Sequence, residues 1–347
     1  MKALWMTNHR GTKGLEIRET ADPEPKPHEV RLRVQASGLN FSDLAAHKGL
    51  YALAPRPPCV LGYEAAGMVD KLGAEASGFR VGDSVVGLLD FGGHSDVVCV
   101  PSSNVLRLPE GMSPLIAAAL PVNYLTAQYM LSRVAHVSPG ETVLVHGAAG
   151  GVGLALLQLC RAIGDVRVIG TASKVKHDVL RKYGCEHAID YTSESYVQEV
   201  RRITKGDGVD VVFDALGGAD WARGYQLLRS RGRLVAYGFN NAVSGESKNL
   251  WRIAGQFLRM PRFSPLKLMT DNRIVAGVTL KDIWGEPLLP LLSELFQLHA
   301  RGVIEPVVDS TFSLESAVEG YRRLQQRKNV GKILLQMDAG VRAEVQS

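Results

Sequence analysis

Cysteine is scarce in this chain: Cys59, Cys99, Cys160 and Cys185 are the only four in 347 residues. No two stand in a C-x-x-C spacing, so neither a disulfide framework nor a zinc knuckle is indicated, and reduced thiols of a cytoplasmic protein are the expectation. Long apolar runs are missing as well. No stretch of about 18 uncharged apolar residues occurs, so no membrane span is expected. The opening MKALWMTNHRGTKGLEI lacks an apolar core and reads as strand-turn-strand, not as a signal peptide. There is little excess charge of either sign: 40 Lys and Arg face 35 Asp and Glu, a net +5. The densest basic run, residues 322–328, falls in a C-terminal helix and reads as a solvated face, so nucleic acid is not an expected partner. A mildly basic chain still suits an anionic dinucleotide. Internal repeats and low-complexity segments are absent.

What is present is an ordinary globular composition, 46% hydrophobic and 22% charged, long enough for two domains. The first third is rich in Gly and Pro and carries short strands, among them 30–34 and 67–69, a turn entering a strand over 80–89, and two more strands around a kink at Pro101. Strands at this spacing predict a partly closed β-barrel-like domain. A helix is predicted from Ser113, a cap followed by proline, to about 133. From Glu141 the texture changes. Apolar strands at 142–146, 166–171, 188–191, 209–216, 233–238 and 273–280 alternate with helices, the pattern of a parallel, doubly wound sheet buried on both faces. A helix at 288–299, a strand EPVVDSTF, another helix and the closing strand GKILLQ complete the chain.

The strongest local signal is VLVHGAAGGVGLALLQL. Gly147, Gly150 and Gly153 follow a strand and open a helix, the setting of a dinucleotide-binding turn. Bare backbone there can approach a pyrophosphate, and the helix N-terminus adds N–H donors and a positive dipole. The spacing is G-x-x-G-x-x-G, and a tight turn without ligand remains the alternative. A site for NADH places an acid about 20 residues beyond the first glycine, on the ribose hydroxyl. Here the segment GTASKVKH holds Ser173, Lys174 and Lys176 and no acid. Lysine and hydroxyl groups would bind a 2′-phosphate that a carboxylate would repel, so NADPH is the expected cofactor; lysines that merely solvate a helix start are the alternative.

A zinc alcohol dehydrogenase needs Cys, His or acid ligands converging on an open tetrahedral site. The corresponding segments GLNFSD, VLGYEAAG and LPVNYLTA offer Asn40, Tyr63 and Asn123. No metal is expected, and His9, His94 and His146 read as isolated surface or core histidines.

The segments ASGLNFSDLAAHKGLY, LGYEAAGMV, GDSVVG, LPVNYLTA, LVHGAAGGVG, GTASKVKH, AIDY, LGG and KNVGKILL, in this order, resemble the zinc-free medium-chain quinone oxidoreductases. NYLTA, GTAS…KH and KNVGKILL are similar to the branch of vesicle-amine-transport-protein homologues. The resemblance runs from about Leu4 to Leu335. It implies an α/β fold in two parts. A GroES-like β-barrel-type catalytic domain would take residues 1–121 and 281–347, and a Rossmann NADPH-binding domain residues 122–280. It also implies a homodimer. Carried over by position, Asn40 and Asp43 would order the cleft beside the nicotinamide. Tyr51 matches a tyrosine that enoyl reductases use near the substrate carbonyl, although Ala52 replaces the proline usual after it. Thr126 would touch the cofactor. Gly150, Gly151 and Val152 would hold the pyrophosphate; Ser173, Lys176 and Tyr191 the 2′-phosphate and adenosine; Gly238 and Asn329 the other side. For Asn40 and Asp43 a capped structural turn is the alternative, and for Tyr51 a packed aromatic. The function implied is NADPH-dependent, zinc-independent hydride transfer to a quinone or similar electron-poor carbonyl. Reduction of an activated C=C in an enone is the rival. A third reading is an NADPH-binding protein with little turnover, acting at membranes or with a partner.

Overall fold

The computed structural model describes residues 1–243, 249–280 and 283–337. The last residues of the expected catalytic domain, 338–347, and residues 281–282 lie outside them.

Residues 142–277 build the predicted parallel sheet. Its strands are β9 (Thr142–Val145), β10 (Arg167–Ala172), β11 (His187–Asp190), β12 (Val209–Asp214), β13 (Leu228–Ala236) and β14 (Ile274–Gly277). They pair in the order β11-β10-β9-β12-β13-β14, all parallel. Chain direction across the sheet reverses between β9 and β12, and such a switch point opens a crevice beyond the strand ends. Every residue of β12 is buried, as helices on both faces require of a central parallel strand. The expected strand 273–280 shortens to β14, which pairs with β13 alone and leaves Ile274 53% exposed at the sheet edge.

The rest of the chain makes two antiparallel-based sheets. β1 (Lys2–Met6) pairs with β2 (Leu15–Glu19) and β4 (Cys59–Val60). The larger sheet holds β3 (Glu29–Leu39), β5 (Glu64–Leu72), β6 (Ser84–Leu88), β7 (Val97–Pro101), β8 (Val105–Arg107), β15 (Val308–Ser313) and β16 (Lys332–Gln336). β16 lies antiparallel against β3 and parallel to β15, so the C-terminal strand completes the N-terminal sheet. Buried side chains run unbroken from this sheet (Ala36, Val86, Leu334) into the parallel one (Val143, Phe213).

The helix expected from Ser113 departs from a single α-helix. Ser113 does cap it, its Oγ accepting from Ile116 N–H, and Pro114–Ala119 is α-helical. Pro121 then removes a backbone donor and crowds the preceding turn. The helix widens into a π turn over Pro121–Leu125, returns to α over Thr126–Tyr129 and widens again over Met130–Ala135. Such widened turns frequently mark functional sites, and this one carries Asn123 into the cleft.

Candidate functional site

A cleft of about 1250 Å³ opens where the two large sheets meet, at the C-terminal ends of β9, β10, β12 and β13. The turn after β9 forms one wall. Gly147 takes φ +64°, and Thr171 at the end of β10 anchors the turn through Ala148 N–H (3.1 Å) and Gly147 N–H (3.3 Å). Gly150 caps the helix Gly151–Ile163. The first N–H groups of that helix have no carbonyl of their own, and with the helix dipole they make an anion cradle facing the cleft. From the other side the segment before β16 closes on the turn: Gly331 N–H donates to Ala149 O at 2.9 Å.

Ser173, Lys176, Tyr191, Gly238 and Asn329 all line the same cleft, as do Thr126, Gly150, Gly151 and Val152. The sequence left open whether Lys176 was merely solvated. Its Nζ donates to Arg327 O and Asn329 O, both at 2.7 Å, and burial lowers its pKa. One of its three N–H bonds remains for a phosphate. Asn329 is itself held, its Nδ2 donating to Gly331 O at 2.8 Å. Tyr191 stands at the rim, 44% exposed. Thr126 Oγ1 donates back to Val122 O (2.6 Å), which leaves its lone pairs to the cleft. The basic run at 322–328 is less solvated than expected, because Arg323 pairs with Asp309 and Arg327 lines the cleft.

The opposite wall belongs to β3, β5 and β16, and here the structure adds residues that the sequence did not suggest. Asn40 caps the helix Phe41–His47. Its Nδ2 donates to Gly38 O (3.2 Å) and Glu64 Oε1 (3.1 Å), and its Oδ1 accepts from Lys332 Nζ (2.6 Å). Lys332 also pairs with Glu64, whose other oxygen accepts Val122 N–H at 2.8 Å. All three side chains are buried. Both N–H bonds of the Asn40 amide are therefore spent, and it has none for a substrate oxyanion.

Asp43 does not reach the cleft. It is fully buried, with Oδ2 accepting Asn40 N–H at 2.8 Å, and its Oδ1 has no partner among the described residues. Burial pushes its pKa up to about 7. Behind it lie His94 and Tyr321. The Tyr321 hydroxyl meets His94 Nδ1 at 3.1 Å and His94 Nε2 meets Gly38 O at 3.3 Å. A neutral ring protonated on Nε2 satisfies both contacts, and burial holds its pKa down to about 4. His94 is thus not isolated. Neither is His146, whose Nδ1 meets Thr171 Oγ1 at 3.2 Å while Nε2 faces Asp214 Oδ2 at 4.0 Å. Tyr51 lines the cleft and meets the Tyr63 ring edge-on at 6.3 Å. Burial raises its pKa, so it stays a neutral hydroxyl donor.

Asn40, Tyr63 and Asn123 do not suit a zinc ion. The Lys332 ammonium already holds the Asn40 oxygen and would repel a dication. Among the described residues, no group of three or more His, Cys, Asp or Glu side chains is placed to share a metal. The glycine turn, the helix N-terminus and Lys176 do fit a phosphorylated dinucleotide.

Residues 26–110 match the alcohol dehydrogenase GroES-like domain family, and residues 151–291 the zinc-binding dehydrogenase family. The synaptic vesicle membrane protein VAT-1 homolog of Homo sapiens is 42% identical over 323 residues, covering 92% of this chain and 82% of that protein. The Escherichia coli quinone oxidoreductase, solved in complex with NADPH, superposes with a TM-score of 0.86 at 30% identity, covering 97% of this chain and 100% of that one. The CurK enoyl reductase superposes with a TM-score of 0.81 at 27% identity, covering 97% and 99%. The chain belongs to the medium-chain dehydrogenase/reductase family, among the relatives that include the quinone oxidoreductases and the VAT-1 homologues.

Proposed function

We propose that this chain is an NADPH-dependent oxidoreductase that delivers hydride to a quinone or a similar electron-poor carbonyl acceptor. The observation that carries this reading is one cleft with an anion cradle at one end and a buried polar wall at the other. Bound there, NADPH supplies the hydride; the protein's share is orientation and electrostatics. In this reading Gly150, Gly151 and Val152 hold the pyrophosphate, and Ser173, Lys176 and Tyr191 hold the adenosine and its 2′-phosphate. Gly238, Asn329 and Thr126 flank the rest.

At the reacting end the Glu64–Lys332–Asn40 network fixes the floor, its ammonium and carboxylate neutralising each other. Asn40 has no N–H left to give, and this reading assigns the donation toward the acceptor oxygen to the Tyr51 hydroxyl on the cleft wall. Asp43 acts as a positioning residue, holding the start of the helix Phe41–His47 and with it Asn40. A quinone that gains hydride becomes a stabilised hydroquinone anion, which takes its proton from water. An enone that gains hydride becomes a more basic enolate and needs a placed acid. Because the Tyr51 hydroxyl is a neutral donor on the cleft wall, enone reduction stays the second reading, and the likeness to an enoyl reductase favours it.

A division into a catalytic part, 1–121 and 281–347, and a cofactor part, 122–280, belongs to this proposal, as does a homodimer in the cytoplasm. The open edge of β14 supports the dimer. Among the described residues no helix is long and apolar enough to cross a membrane.

The test is NADPH oxidation by the purified chain against a panel of quinones and α,β-unsaturated carbonyls. Turnover of quinones supports the first reading and turnover of enones alone the second. Tight NADPH binding with no turnover of either would point to a cofactor-binding protein with another task.

A further inference from the structure

Asn123 is a nearly buried polar side chain on the wall of the cleft. It sits in the widened turn Pro121–Leu125, lines the cleft and is 6% exposed. Its surroundings are fixed on both sides. The N–H of its neighbour Val122 is held by Glu64 at 2.8 Å. Across the cleft floor Gly151 comes so close that a Cβ there would meet Asn123 Nδ2 at 2.2 Å. Yet among the described residues its amide makes no hydrogen bond, and its polar atoms are not among those sealed from the cleft. A nearly buried amide without a partner is costly unless something that binds there supplies one.

The contacts Gly151–Asn123–Val122–Glu64–Asn40 connect the anion cradle to the wall that carries Asn40. A dinucleotide whose pyrophosphate rested on Gly150, Gly151 and Val152 would have its other half in this part of the same cleft. We propose that Asn123 binds the nicotinamide riboside portion of the cofactor, through hydrogen bonds from Nδ2 and to Oδ1 with ribose hydroxyl or carboxamide groups. This rests on the NADPH reading above. It also explains why position 151 is glycine, since any side chain there would push the amide out of line.

The test titrates NADPH and its two halves, reduced nicotinamide mononucleotide and adenosine 2′,5′-bisphosphate, against the full chain and the variants Asn123→Ala and Asn123→Asp. Asn123→Ala is expected to weaken NADPH and the mononucleotide about three- to tenfold, the worth of one neutral hydrogen bond. Binding of the bisphosphate should not change, which also certifies the variant's fold. Asn123→Asp keeps the shape but loses the N–H donors, and should weaken the same two ligands at least as much. Should Asn123→Ala fail to bind the bisphosphate, Asn123→Asp decides. Unchanged NADPH and mononucleotide binding overturns the inference, and so does equal weakening of both halves. A parent chain that binds no NADPH sinks the cofactor reading itself, a separate result.

Discussion

Lys332 donates from Nζ to Asn40 Oδ1 at 2.6 Å, across 292 positions of sequence. The same ammonium neutralises the buried Glu64 carboxylate. Two charges removed from water in this way hold each other, and removing one strands the other. Lys332→Met should therefore destabilise the fold by about 3–5 kcal/mol, read from urea unfolding. Adding Glu64→Gln should recover part of that loss. A single variant as stable as its parent would mean that Glu64 finds another counter-charge.

Tyr51 separates the two acceptor classes. If quinones are reduced, Tyr51→Phe should cost up to about tenfold in kcat/KM, one hydrogen bond of ~0.5–1.5 kcal/mol. If activated alkenes are reduced, a placed acid counts for more and the loss should reach about 10²-fold. Steady-state rates on both substrate types check this, and full activity on every acceptor would reduce Tyr51 to a packing aromatic.

NADPH should bind at least about tenfold more tightly than NADH, because the segment GTASKVKH at the end of β10 holds no acid and charge-assisted contacts add ~1.5–3 kcal/mol each. Lys176→Ala should narrow that gap. It should also weaken both cofactors somewhat, since the amine ties down Arg327 and Asn329. Fluorescence titration of both nucleotides reads the two effects separately; an unaltered preference would remove Lys176 from the phosphate pocket.

Two buried histidines set the acid limit. Burial holds the pKa of His47 at about 3 and that of His94 at about 4, below the ordinary 6.5. The unfolded chain then binds protons below pH 6.5 that the folded chain refuses, so stability present at neutral pH falls as pH drops toward 4. Asp43, raised to about 7, works the other way: its contribution is full below its unfolded value of 3.8 and is lost as pH rises toward 7. In the shared window the two histidines outweigh the one acid. Unfolding free energy should decline between pH 7 and 4.5, less steeply in His47→Met and more steeply in Asp43→Asn. Parallel pH profiles for parent and both variants would contradict this.

The edge strand β14 offers unpaired backbone and the exposed Ile274, and the helix before it exposes Met269 and Leu266 still further. An open apolar edge otherwise invites aggregation. A dimer at micromolar concentration is expected by sedimentation, and Ile274→Lys should shift it toward monomer. A parent chain that sediments as a monomer would refute the edge-to-edge pairing.

How far this could be read beforehand depended on range. The parallel sheet was legible because runs such as Val209–Asp214 are apolar throughout, and the glycine turn because its residues lie within one loop. Pro121 was a visible sign that the helix from Ser113 would not stay regular. The Glu64–Lys332 contact spans 268 positions, and no local periodicity encodes a meeting at that distance. Its traces are small ones. Glu64 is a charge between a tyrosine and two alanines in a buried strand, and Gly38 is bare where a Cβ would strike Glu64 Oε1 at 2.1 Å. The commitment of the Asn40 amide and the burial of Asp43 were likewise invisible, because they depend on which face of β16 meets β3.

The short stretch from Asn329 to Lys332 bonds Lys176, touches the glycine turn and delivers an ammonium to Asn40. Successive residues of a strand point to opposite faces. One residue added or lost within the stretch would turn Lys332 away from Glu64 and draw Gly331 off Ala149 together. The length of this stretch is dictated at both ends.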